Sequence, residues 1–157
     1  MKMVFSTASS HDIDTIHQII THYARKGLIL KRSREEILDN LDNFFTCTIE
    51  NSIAGIGSYY NYGDSLKEIR SLAVLEKHQR NKVGSFIVKK LIAYLLNQNQ
   101  VKPKIFTLTY SPGFFQKNGF TVVPKDTLPE KIWKDCSKCE SREQCGETAL
   151  VYNSSVY

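Results

Sequence analysis

The stretch Gln79 to Ser85, QRNKVGS, places Arg80, Lys82 and Gly84 where the apolar residues change from strand-like to helical spacing. Val83, Ile87, Leu91, Tyr94 and Leu95, with Val88 and Ile92 beside them, recur at three- and four-residue intervals. That period predicts one buried stripe on a helix running to about Asn97. Its first-turn N–H groups have no partner inside the helix, and the aligned peptide dipoles add partial positive charge there. Two cationic side chains and a glycine that admits a ligand close to the backbone make this end suited to an anion, with a diphosphate the natural candidate. Gln79, Asn81, Val83 and Ser85 belong to the same candidate loop by position. A solvated strand-to-helix turn has the same pattern, so the loop alone does not decide.

A second cluster is Cys136-x-x-Cys139-x5-Cys145. Three thiolates fall one short of the four ligands of a tetrahedral zinc site, and Cys47 completes the set only if the fold brings it near. Free thiols or a redox pair are the alternatives. His11, His17, His22 and His78 show no metal-ligand spacing with the cluster.

The elements that must position these residues read as one domain over 1–157, with a cysteine-bearing insert at about 124–146. Residues 2 to 8 suit a strand. Ile13, Ile16, Ile19, Ile20 and Tyr23 predict a helix, capped by Ser9 or Ser10 and ended by Gly27. Ser33 and Glu36 have capping-box spacing ahead of a second helix, with Ile37, Leu38 and Leu41 as its buried stripe. Strands FFTCTIE and IAGIGSYYNY flank the turn-prone Asn51-Ser52, and KEIRSLAVL follows the Gly63-Asp64 turn. After the long helix come the strand KIFTLTY, a short helix with Pro112 near its start and Gly119 at its end, and closing strands at about 119–123 and 147–153. This order predicts an α/β (α+β) fold, a mixed central sheet with helices on both faces. Its ligand crevice should lie where SLAV and FTLT, joined in parallel by the long helix, splay at their carboxyl ends.

Hydrophobic content of 41% and charged content of 24% are ordinary for a soluble globular chain, which argues against disorder. No apolar run approaches the ~20 residues of a membrane span, and MKMVFSTASS has no signal-like apolar core. A cytoplasmic protein with no membrane partner is expected. The net charge of +5 is spread along the chain without a dense basic arm, so no nucleic-acid partner is expected. An assembly of identical copies is compatible with the sequence.

The element order and three stretches, QRNKVG, SLAV and FFQKNGF, resemble the GNAT superfamily of acyl-CoA N-acyltransferases. Lys82 stands where that family's loop usually has its first glycine. From about Gly27 onward, GLILKRSREEI, EIRSLAV, IFTLTYSPGFFQKNGF and LPEKIWKDCSKCESREQC resemble the acetyltransferase domain of N-acetylglutamate synthases, especially its short single-domain forms. The long forms carry an Arg just after LT, where this chain has Tyr110 and Ser111, and an additional kinase-like domain.

The resemblance implies direct attack of an amine on the thioester of acetyl-CoA, the co-substrate. It implies main-chain contacts to the pantetheine arm from Leu72, Ala73 and Val74, and pyrophosphate binding by Gln79, Arg80, Asn81, Lys82, Val83, Gly84 and Ser85. Glu68 falls where relatives carry a Glu and is the candidate base, acting through a water. Phe115 occupies the place of a Tyr that serves as acid in many members. Tyr110 and Ser111 are substitutes, unless the thiolate leaves unaided. Arg32 matches an α-carboxylate clamp, with main-chain contacts from Leu30. A second acceptor carboxylate would need Ser111, the start of the short helix at Pro112 and Gly113, or Lys104. The leading expectation is an amino-acid N-acetyltransferase with L-glutamate as acceptor, serving arginine biosynthesis. The alternatives are acetylation of another small amine or a protein amine, and a CoA-binding regulatory module without turnover. A zinc-dependent nucleic-acid binder rests only on charge and cysteines.

Overall fold

The computed structural model describes residues 2–98, 102–128 and 147–153. Its strands are β1 (Met3–Thr7), β2 (Phe44–Ile49), β3 (Ser52–Asn61), β4 (Leu66–Val74), β5 (Lys104–Thr109), β6 (Phe120–Val123) and β7 (Thr148–Tyr152). The helices are α1 (Ile13–Arg25), α2 (Arg34–Asp39), α3 (Val83–Leu96) and α4 (Pro112–Lys117). The strands form one sheet in the order β1-β2-β3-β4-β5-β7-β6. Among the described strands only β4 and β5 pair in parallel, as their connection through α3 requires.

Two apolar clusters cover opposite faces. Ile16, Ile19, Ile20 and Tyr23 of α1 and Ile37 of α2 pack with Phe44, Ile56 and Ala73. The α3 stripe packs with Phe45, Ile69, Ile105, Leu150 and Phe115. Alternation along β2 sends Phe44 one way and Phe45 the other, as a pleated strand must. Gly55 and Gly57 let α3 sit close: a Cβ on Gly57 would lie 2.8 Å from Ile87 Cγ2 and 3.0 Å from Leu91 Cδ1.

Several local expectations are corrected. Leu38 is 56% exposed, because α2 is only six residues long and turns Ile37 alone into the core. The β2–β3 turn sits at Glu50 and Asn51, both with positive φ, one residue before the predicted pair. Ser9 precedes a 3-10 turn over Ser10–Asp12, and α1 begins after it. The segment expected as a loop before α3 is a 3-10 turn over Glu76–Asn81. The capping box of α2 is present, with Glu36 N–H donating to Ser33 Oγ and Ser33 N–H to Glu36 Oε1, both at 3.1 Å.

Replacing Gly57 by Ala inserts a methyl group where no space exists. The expected cost is about 1–3 kcal/mol, a fall in Tm of roughly 2–12 °C in a thermal melt, and an unchanged Tm would show that α3 can shift away freely.

Candidate active site

The central strands part where predicted. Pairing of β4 with β5 ends at Ile69 and Thr107, although β4 continues to Val74 and β5 to Thr109. Thr107 Oγ1 donates to the Ile69 carbonyl at 3.0 Å, closing the last rung. On its other side, β4 changes register against β3: Ile56 opposes Ala73 but Ser58 opposes Arg70. The extra residue falls on β4, where Ser71 has a φ of 50°. Such a bulge turns two successive residues toward the same face. Arg70 and Ser71 both line the cavities there.

Two cavities meet at this point. One, of about 550 Å3, runs along Glu68 to Val74 and past Gln79, Arg80, Lys82, Gly84 and Ser85, with Ser111, Phe114 and Phe115 opposite. The other, of about 830 Å3, lies against α1 and α2 and is lined by Arg25, Lys31, Arg32, Tyr60, Arg70 and Tyr110 among others. Ile29, Leu30, Arg32, Arg70 and Ser71 belong to both.

The α1–α2 segment reaches the junction because of its caps. Gly27, with a φ of 72°, ends α1, and Leu28 N–H bonds back to the Tyr23 carbonyl at 3.1 Å. This 6→1 closure is the usual glycine-terminated helix end. It leads into Leu28 to Arg32, of which Ile29, Leu30 and Arg32 line both cavities. Glu36, already in the α2 cap, places its other oxygen 3.5 Å from Arg32 Nη1 and so steadies that side chain.

Glu68 is 5% exposed. Its Oε1 accepts from Arg70 Nε at 2.7 Å and from Tyr62 Oη at 3.3 Å. Burial pushes its carboxyl above the usual carboxylate range, with Arg70, Arg32 and Tyr62 pulling the other way. Arg70 Nη2 donates to Tyr62 Oη at 3.0 Å, and its guanidinium lies 4.2 Å from the Tyr60 ring centroid. The sequence reading missed Arg70, Tyr60 and Tyr62. Arg70 stands two residues after Glu68, and the period of a strand puts such a pair on one face.

At the coenzyme end, Lys82 adopts the left-handed conformation, φ 61° and ψ 25°, immediately before α3. That explains why a glycine suits this position. Val83 turns its side chain into the core, so its main-chain N–H is what it can offer a ligand. Asn81 ends the 3-10 turn and its side chain does not line either cavity. Gln79 lines the smaller cavity and is also tied into the protein. Its Nε2 donates to the Val74 carbonyl at 3.1 Å and to Tyr23 Oη at 3.2 Å, while Tyr23 Oη itself donates to that carbonyl at 2.5 Å. The Val74 carbonyl is thus occupied by protein donors. Burial, with the nearby Glu76 charge, holds the Tyr23 hydroxyl above its ordinary pKa, keeping it a donor.

Tyr110 faces the larger cavity and Ser111 the smaller, so the two residues proposed as acids part company. Lys104 is exposed at the start of β5, at the end of the strand away from the splay. Cys47 is fully buried in the core under α3, and burial raises its thiol pKa. Cys136, Cys139 and Cys145, the expected zinc ligands, lie outside the described residues. Among the described residues no group of three or more His, Cys, Asp and Glu could hold a metal ion, and no helix is long and apolar enough to cross a membrane.

A parted parallel strand pair, a bulged central strand and an anion-suited helix start make up an acyl-CoA-type site. Residues 13–120 match the profile of the Acetyltransferase (GNAT) family, and the chain belongs to that family. It is an acetyl-CoA-dependent N-acetyltransferase. It is 37% identical over 140 residues to an uncharacterized N-acetyltransferase of Chlorobaculum tepidum, covering 89% of each chain. It is 32% identical over 126 residues to the amino-acid acetyltransferase of Buchnera aphidicola, covering 78% of this chain and 28% of that protein. The chain therefore spans less than a third of that relative. N-acetylglutamate synthase from Neisseria gonorrhoeae, solved with coenzyme A and N-acetyl-glutamate, has the same fold, with a TM-score of 0.86 at 23% identity over 97% of this chain and 35% of that one.

A Cβ on Gly84 would lie 3.1 Å from Phe114 Cζ, facing the smaller cavity. Gly84→Glu adds that bulk and a negative charge where pyrophosphate is expected, and should abolish coenzyme A binding in calorimetry. Wild-type affinity in this variant would remove the loop from the coenzyme site.

Proposed function

We propose that the protein transfers acetyl from acetyl-CoA to the α-amine of an amino acid, with L-glutamate the favoured acceptor, as the first acetylation of arginine biosynthesis. The observation that carries this reading is the junction of the two cavities, where Arg32 lines both and Glu68 lies in the smaller one just before β4 and β5 part. The coenzyme would lie in the smaller cavity, with its pyrophosphate at the first turn of α3 beside Arg80 and Lys82. Its pantetheine arm would follow the free edge of β4 at Leu72 and Ala73 and the Val74 N–H. A thioester held against this edge is positioned, and its carbonyl is polarised by main-chain donors.

The acceptor would enter through the larger cavity. The Arg32 guanidinium can take its α-carboxylate by paired charge-assisted hydrogen bonds, with main-chain contacts from Leu30. The bound ammonium must lose a proton before it can attack, and Glu68 is the carboxylate in reach, directly or through a water. Attack forms the new C–N bond at the acetyl carbon, and collapse of the tetrahedral intermediate breaks the C–S bond and releases the thiolate. Tyr110 or Ser111 can return a proton to it, although a thiolate leaves without one. The similarity to the amino-acid acetyltransferases of Buchnera aphidicola and Escherichia coli supports this acceptor class.

The deciding experiment is thiol release from acetyl-CoA across a panel of amino acids and of amines without an α-carboxylate. Glutamate should lead, and equal rates for amines lacking the α-carboxylate would refute the reading. Glu68→Gln should lower kcat by about 10²–10⁴-fold with little change in coenzyme affinity. In the wild type, the base is active only when ionised, so activity falls as pH drops through its raised pKa. The acid limb should therefore lie above the ~4.3 of an unperturbed glutamate and vanish in the Gln variant. A near-wild-type rate would assign the proton to another group. Arg32→Ala should lower kcat/KM by roughly 10²-fold for every α-amino acid, mainly through KM, and an unchanged KM would take Arg32 out of the clamp.

A further inference from the structure

Tyr23, on α1, is bonded to the strand edge along which the coenzyme would lie, and no step of the chemistry uses it. Val74 stands opposite Gly55 of β3, and the next rung is made by Leu75 N–H, which donates to the Ala54 carbonyl at 2.8 Å. In an antiparallel pair, residues that exchange main-chain bonds alternate with residues that do not, and a residue's N–H and carbonyl face the same way. Both main-chain groups of Val74 therefore face away from β3, toward the side from which β5 has parted.

One of these two groups is closed. The Val74 carbonyl accepts from Tyr23 Oη at 2.5 Å and from Gln79 Nε2 at 3.1 Å, and Gln79 Nε2 also donates to Tyr23 Oη at 3.2 Å. A carbonyl oxygen has two lone pairs, so two donors saturate it. Tyr23, Val74 and Gln79 all line the smaller cavity. At Val74 the edge thus presents a donor and no open acceptor.

A water would also satisfy an orphaned carbonyl, but an incoming amide displaces a water. Tyr23 is harder to displace. It is 5% exposed and belongs to the apolar cluster of Ile16, Ile20, Ile56 and Ala73, with its hydroxyl held at both ends by the ring of bonds to Val74 and Gln79.

The consequence falls on the ligand. The pantetheine arm of acetyl-CoA carries amides, each with an N–H and a carbonyl. Against a strand residue with both groups open, such an arm pairs in either of two ways, its N–H on the carbonyl or its carbonyl on the N–H. Against Val74 only a carbonyl of the arm finds a partner. Sliding matters because the acetyl group sits at the end of the arm, and a misplacement of ~1 Å can cost about 10²-fold in rate.

We propose that Tyr23, together with Gln79, is a positioning residue that closes the Val74 carbonyl, sets the register of the pantetheine arm and so fixes the place of the thioester. This rests on the coenzyme lying in the smaller cavity, and it is independent of which amine accepts the acetyl group.

The test uses the full chain with Tyr23→Phe, Gln79→Leu, the double variant and Glu76→Ala. Glu76 ties the turn that carries Gln79 to α1 from the outside, its Oε1 2.9 Å from His22 Nε2 and 3.3 Å from Lys26 Nζ, without touching the carbonyl. Coenzyme A affinity is measured by calorimetry, and kcat by thiol release with whichever amine the wild type acetylates fastest. Tyr23→Phe should lower kcat roughly tenfold while the coenzyme A Kd changes less than about threefold, because a shifted arm is still bound. The double variant should fall little below the worse single one, as donors that serve one acceptor require. Glu76→Ala should keep the wild-type kcat. An unchanged kcat in Tyr23→Phe overturns the proposal. So does a weakened Kd that accounts for the whole loss, or an equal loss in Glu76→Ala, since either would leave Tyr23 only docking α1. Should Tyr23→Phe not fold by circular dichroism, Gln79→Leu, at an exposed residue, decides on the same two quantities. Wild-type coenzyme affinity in Gly84→Glu would overturn the placement of the coenzyme and this proposal with it. The expected split between kcat and Kd, found with an amine that is not an amino acid, would support the proposal while overturning the acceptor reading.

Discussion

Everything at the site depends on β4 and β5 ceasing to pair after Ile69 and Thr107. A parallel pair that stayed together to its ends would bury the main-chain groups of Leu72 to Val74 against a neighbour. Parting them leaves a free strand edge in the middle of a sheet, which has to be held open and held still. Thr107 closes the last rung through its hydroxyl, and Tyr23 and Gln79 together occupy the Val74 carbonyl at the open end. The bulge at Ser71 lies between these two anchors, and its left-handed residue is a local strain that the paired β3 edge maintains.

The same geometry sets the electrostatics. Glu68, in the paired part of β4 beside Arg70 and Tyr62, is withdrawn from water. Desolvation outweighs its pairing with Arg70, so its carboxyl titrates above the ordinary range. By linkage, a carboxylate whose folded pKa is raised favours the folded state at low pH, and that contribution is lost as pH rises through the raised value. Above that value the fold bears the cost of an ionised buried carboxylate, and Arg70, Arg32 and Tyr62 offset it. A buried carboxylate and a stable interior pull in opposite directions, which accounts for the donors gathered around this one.

The element order, the α3 stripe, the Ser33 capping box, the splay and the anion-suited start of α3 were legible in the sequence because each is a local signal. Periodicity marks the stripe, a four-residue spacing marks the box, and a glycine next to basic residues marks the loop. Leu38 was misread because a six-residue helix has room for a single inward position. The bonds of Gln79 were not legible because its partner, Tyr23, is 56 residues away in sequence, and only tertiary structure brings α1 to the end of β4. Arg70 was overlooked for a different reason. A cation two residues after a carboxylate on a strand is an ordinary surface pattern, and nothing local says that this face of β4 is covered.

The shared wall of the two cavities bears on how the acetyl group moves. Leu30, Arg32, Arg70 and Ser71 line both, so molecules bound in the two cavities would be neighbours across a few side chains. Placing both reactants in one continuous space makes direct attack a unimolecular event, and orientation of this kind is worth several kcal/mol of barrier, about 7–11 at its best. The buried Cys47 thiol lies under α3, among the core residues on the other face of the sheet, with its pKa raised, away from any role as an acetyl carrier. The segment after Gly27 is therefore more than a connection between helices. Its Ile29, Leu30 and Arg32 form part of the wall of both cavities, so a shift of this one segment would reshape the two together.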